Sequence, residues 1–217
     1  MTAGWLSRLV SRRGGERGEL DRRVIDKLAA WKSLPAGRLD LPAFDARYVV
    51  VNTEASGLDL ERDRLLAVGA LAIESGVISP QQAWYATLQH APEAALADLL
   101  TFIGNSPVVV FNAPFNRRML LRAFDETVGF EPDLFWLDLY YLLPALFPER
   151  RRDPVRLADW MESFDIETFQ RHHGLGDGWA IAQLFLTVQA RATGRGAATA
   201  RGLGDVEHAY REFRRKS

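Results

Sequence analysis

Two short runs limit the fold more than anything else in the chain: Tyr48-Val49-Val50-Val51 and Val108-Val109-Val110. Each is continuously apolar and rich in β-branched residues, and each is bounded by polar or turn-forming residues. A strand that is apolar on both faces must be covered on both faces. Such a chain folds as a layered α/β domain, with helices on either side of a sheet. The first run continues into Asn52-Thr53-Glu54 and then a small-residue turn, Ala55-Ser56-Gly57. Alternation puts Asn52 and Glu54 on one face. They sit at the C-terminal end of the strand, where α/β sheets place their sites.

The rest of the chain supplies the layers. "RLLAVGALAIESG" and "WYATLQ" read as the next two strands, joined by short turns that make the start of the sheet antiparallel. "PEAALADLLTFIG" is helical, and "APFNRRMLLRAF" begins a helix with proline in its first turn. "LFWLDLYYLLPALFP" divides near Asp138 into strand and helix, and "RLADWMESF" is a short helix. "DGWAIAQLFLTVQARA" is an amphipathic helix with Ile181, Leu184, Phe185 and Val188 on one stripe. Residues 1–46 are read as a helical N-terminal extension, because Leu20, Val24, Ile25, Leu28 and Trp31 have helical spacing. Residues 47–192 form the main domain. In 193–217, "TGRGAATARGLG" reads as a flexible linker before a short basic helix.

Composition excludes several classes. The 217 residues carry 27 basic and 28 acidic side chains, a net charge of −1, so no global field draws the chain to nucleic acid. There is no cysteine, which excludes disulfides, thiolate metal sites and cysteine nucleophiles, and fits a reducing compartment. The apolar run "LLAVGALAI" is too short to span a bilayer. A soluble, cytoplasmic protein is the expectation.

Three polar boxes stand at the ends of these elements. Taken singly, each has an ordinary structural explanation. Asn52 and Glu54 end a strand; Asn112 and Asn116 flank a helix start and satisfy backbone groups there; Asp177 caps a helix, with His172 and His173 in the loop before it.

Together and in this order, the boxes resemble the DEDDh 3′-to-5′ exonucleases, the superfamily of polymerase proofreading subunits and RNase T. The family's D-x-E-T-T-G-L appears here as Asn52-Thr53-Glu54-Ala55-Ser56-Gly57-Leu58, and its N-x-x-F-D as Asn112-Ala113-Pro114-Phe115-Asn116. Its H-x-x-x-x-D-A appears as His172 through Asp177, then Gly178; His173 lacks that spacing. The resemblance covers roughly 47–192 and implies a ribonuclease H-like, three-layer fold with a central mixed sheet. It implies four metal-ligand positions, Asn52, Glu54, Asn116 and Asp177, with His172 as the base that deprotonates water. It also places Leu58, Ser56, Phe115 and Asn112 against the terminal nucleotides of a DNA or RNA 3′ end.

The family gathers acids because two divalent cations, about 3.5–4 Å apart, activate the water and stabilise the leaving oxygen. Mg²⁺ and Mn²⁺ favour carboxylate oxygens. Here two of the four acids are amides, which halves the negative charge. At an effective dielectric of about 20, a unit charge pair at about 4 Å is worth roughly 4 kcal/mol. Cation binding is expected to be weak or confined to one site, and hydrolysis weak or lost. Natural divergence to a pseudo-enzyme and deliberate isosteric replacement both fit the amides. Two alternatives stand beside this reading. One is a non-catalytic module that binds nucleic-acid ends or a protein partner such as a polymerase. The other is a rebuilt single-metal site on Glu54, Asp177 and His172. The arginines at 117 and 118 could touch phosphate or be merely solvated.

Overall fold

In the computed structural model the described residues are 20–151, 153–169 and 173–216. Helix α1 (Arg22–Lys32) precedes strands β1 (Tyr48–Ala55), β2 (Leu65–Glu74) and β3 (Val77–Thr87). Helix α2 (Pro92–Ile103), strand β4 (Val108–Val110), helix α3 (Ala113–Val128) and strand β5 (Trp136–Asp138) follow. Helices α4 (Leu139–Leu146), α5 (Leu157–Ser163), α6 (Gly174–Thr193) and α7 (Ala200–Lys216) complete the order.

The sheet runs β3-β2-β1-β4-β5. The first three strands are antiparallel, and β4 and β5 add parallel to β1. This is the expected mixed sheet, with β1 at its centre. The alternation of β1 divides the core. Tyr48 and Val50 face a cluster with Ile181, Leu184, Phe185 and Val188 of α6. Val49 and Val51 face the opposite cluster, with Leu28 of α1, Leu99 of α2 and Leu120 of α3. The stripe read from the sequence on α6 is therefore the stripe it buries. The expected division at Asp138 also falls where strand gives way to helix, because the Asp138 side chain accepts from Tyr140 N and caps α4.

Helices α1 and α7 both join these layers. Asp21 caps α1 by accepting from Arg23 N, and Val24 and Leu28 are buried. At the other end the structure corrects the expected linker. Only residues 194–199 separate α6 from α7, since Ala200 and Leu203 are buried against the core and draw residues 200–204 into the helix. The connection itself is tied down: Ala43 N donates to Ala198 O and Arg201 N to Leu39 O. Strand β3 also starts earlier than its apolar run suggested. Val77 and Ile78 pair with Glu74 and Ile73 of β2, and Ser79, Pro80 and two glutamines span a register shift on the sheet edge before pairing resumes at Ala83.

Candidate functional site

The site is assembled around three successive residues of β1. Asn52 and Glu54 project beneath the N-terminus of α6, and Thr53 turns towards α3. Asn52, Gly69 and Tyr85 lie side by side across β1, β2 and β3. Gly69 has no side chain because α6 lands there: a Cβ would stand 2.6 Å from the Gly174 carbonyl carbon. Gly174 N donates to Glu54 Oε1 at 2.6 Å, and the Tyr85 hydroxyl reaches Glu54 Oε2 at 3.4 Å. Glu54 thus holds the first backbone N–H of a helix, where the helix dipole also favours its charge.

The helix cap falls on a different residue from the one expected. Asp177 N donates to His173 O, so Asp177 belongs to the first turn of α6. The cap is His173, whose Nδ1 accepts from Leu175 N at 3.2 Å. Accepting there puts the proton of the neutral ring on Nε2. The ring stacks on Tyr85, centroids 4.9 Å apart and planes 17° from parallel. The helix begins at Gly174 because Glu54 and His173 satisfy its first free donors. His172 lies outside the described residues.

The second box forms a corner. Asn112 has φ +68°, a left-handed conformation that asparagine tolerates. The buried Asp138 carboxylate holds it there, accepting from Asn112 N at 2.9 Å and Ala113 N at 2.8 Å. Burial raises the Asp138 carboxyl above its usual range, against the pull of these N–H bonds. Asp138 N in turn donates to Glu207 Oε2 of α7 at 2.8 Å. The Asn112 side chain is exposed and caps nothing. Asn116 is buried: its Oδ1 accepts from Thr53 N at 3.1 Å and Thr53 Oγ1 at 2.8 Å. Its Nδ2 donates to Phe111 O at 2.8 Å and Asn112 O at 3.2 Å.

The loop after β1 is braced. Ser56 Oγ donates to Asp63 Oδ1 at 2.7 Å and accepts from Arg64 N at 3.1 Å. The Ser56 hydroxyl and the Asp59 N–H lower the Asp63 carboxyl below its ordinary value. Arg122 of α3 donates to the carbonyls of Leu60 and Asp63. At the tip of this loop Leu58 is 85% exposed. Phe115 is half-buried and packs against the α3 side of the core. Arg117 and Arg118 are exposed, and Arg118 pairs with Glu61 at 3.3 Å.

The structure brings Asn52, Glu54, Asn116 and the first turn containing Asp177 to one end of the sheet. Sequence reasoning missed Tyr85, Asp138 and Glu207. Tyr85 sits in an ordinary strand pattern, and the partners of the two acids are set by packing alone. The donor set does not suit a pair of divalent cations. The Asn116 oxygen is engaged by two donors and one Glu54 oxygen by a third. Among the described residues no three His, Cys, Asp or Glu side chains could together hold a metal.

No family model matches the chain. Its sequence is similar to the PolC-type DNA polymerase III of Thermotoga petrophila, 26% identical over 166 residues covering 65% of this chain. It is also similar to that of Bacillus subtilis, 28% identical over 171 residues covering 69%. The chain spans about 12% of the length of these curated relatives. Among solved structures, the zinc-bound complex of E. coli ExoI with single-stranded DNA superposes with a TM-score of 0.56 at 16% identity, covering 68% of this chain and 41% of that one. The product-bound structure of exonuclease I gives 0.54 at 15% identity, covering 69% and 44%. The fold is ribonuclease H-like.

Proposed function

We propose that this chain is a 3′-to-5′ exonuclease-family protein that engages the 3′ end of a nucleic-acid strand, with metal-dependent hydrolysis weak or absent. One observation carries the reading: two hydrogen bonds, Thr53 to Asn116 and Gly174 to Glu54, draw the second and third boxes onto the end of β1. The similarity to PolC-type polymerases and the fold shared with exonuclease I support it.

The chemistry follows from the charges. A phosphodiester approaching four carboxylates needs cations to screen it. With amides at 52 and 116 that repulsion is halved, so a strand can approach without metal. Leu58, on its braced loop, offers an apolar surface that suits any base. Phe115, half-buried on α3, offers part of a ring. The neutral Asn52 amide can donate to a phosphate or sugar oxygen. Glu54 and Asp177 are the carboxylates left to bind a single cation, and Tyr85 supplies a hydroxyl to Glu54. If His172 serves as the base, its partner is the water that one such cation would orient.

The test uses a single-stranded oligonucleotide carrying a fluorophore. Anisotropy should report binding with EDTA present, and Leu58→Ala should weaken it about 5- to 100-fold, the cost of one lost base contact. Incubation with Mg²⁺ or Mn²⁺ should leave the oligonucleotide nearly full length. Rapid shortening at millimolar Mg²⁺ would overturn the claim of weak hydrolysis. Failure to bind in any metal would overturn the claim of end binding.

A further inference from the structure

Asn116 occupies a family acid position, yet its surroundings are made for an amide. Two donors, Thr53 N–H and Thr53 O–H, converge on one end of the side chain. Two acceptors, the carbonyls of Phe111 and Asn112, converge on the other. A carboxylate has no donor, so it would set an anionic oxygen against two carbonyl dipoles in a buried place. The carbonyls cannot easily turn away. The left-handed Asn112 is pinned by Asp138 through Asn112 N and Ala113 N, and Asn112 O also receives the backbone N–H groups of Phe115 and Asn116.

We infer that Asn116 is a positioning residue, a hydrogen-bonded clip between β1 and the corner where β4 enters α3, and that it is not a vacated cation ligand. It rests on the reading of 52, 54, 116 and 177 as the family's acid positions, but not on nucleic-acid binding. The two amides then differ in kind. No described residue hydrogen-bonds the Asn52 side chain. Among the described residues, an acid at 52 would share its strand face with the like charge of Glu54 beneath the first turn of α6, and a divalent cation can neutralise that charge. An acid at 116 meets carbonyls that a cation at the site does not remove.

The experiment measures thermal unfolding of the full chain and of Asn52→Asp and Asn116→Asp, with and without millimolar Mg²⁺ and with no nucleic acid. Asn116→Asp should unfold about 5–10 °C lower near neutral pH, and Mg²⁺ should not restore it. Its deficit should shrink as pH falls below about 5, because a protonated carboxyl regains a donor for one carbonyl. Mg²⁺ should bring Asn52→Asp back towards the parent. Recovery of Asn116→Asp by Mg²⁺, or a melting temperature equal to the parent's at neutral pH, would overturn the inference. Should Asn116→Asp not fold at any pH, hydrogen exchange in the unsubstituted protein decides. The Thr53 amide and the Asn116 side-chain amide protons should exchange slowly, and fast exchange at both would overturn it. Loss of oligonucleotide binding, by contrast, would bear only on the end-binding reading.

Discussion

Single side chains here are governed by what their neighbours can donate or accept. Glu207 is a second example. It is buried on α7, accepts from Asp138 N and Arg211, and its carboxyl is pushed up to about 7, first by burial. The nearby Asp138 charge pushes the same way, while the Asp138 N–H and Arg211 oppose it. A carboxyl raised from an ordinary 4.5 stabilises the fold fully only below that value, and the stability is lost as pH rises through about 7. The unfolding free energy of Glu207→Gln should therefore shift in the variant's favour by on the order of 2 kcal/mol between about pH 5 and 8. Urea denaturation across that range checks it; a flat difference would show the carboxyl is ionised in the fold. Little of this was legible in the sequence. The positions of Asn52, Glu54, Asn116 and Asp177 were, because they sit at fixed offsets from apolar runs. Their hydrogen-bond partners were not, because Thr53, Phe111 and Gly174 become neighbours only when three distant segments meet.

Among the elements, α6 and its landing on the sheet decide the shape of the site. Gly69 and Gly174 let two backbones touch, so Gly69→Ala should destabilise by about 1–3 kcal/mol and lower the melting temperature by several degrees. Gly178 is inside the same helix, and a Cβ there meets nothing within 4 Å. Gly178→Ala should stabilise by about 0.5–1 kcal/mol. Opposite signs from a glycine at the contact and one beyond it would show that the approach at 69, and not glycine content, fixes the helix. The elements were legible wherever periodicity was strong, as in α6 and β1. Their ends were less so. The start of α6 depended on Glu54 reaching Gly174, and the start of β3 depended on Val77 and Ile78 pairing with β2.

At the scale of the whole molecule, helices α1 and α7 share the core with the sheet and its flanking helices. Leu203 of α7 is fully buried against the α4 and α6 side of the sheet. Leu203→Ala should cost roughly 2–4 kcal/mol of unfolding free energy in a single cooperative transition. A silent substitution would instead mark α7 as an appendage on a linker. No helix among the described residues is long and apolar enough to cross a membrane. The sequence by itself determined the layered α/β plan, since runs apolar on both faces cannot be left uncovered. It also determined which residues stand at the strand ends, because side-chain alternation is local. Only the tertiary structure decided what those residues do. Whether an amide is a clip, a glutamate a helix cap or a linker a helix depends on groups far along the chain, and a buried polar atom takes its role from whichever partner packing supplies.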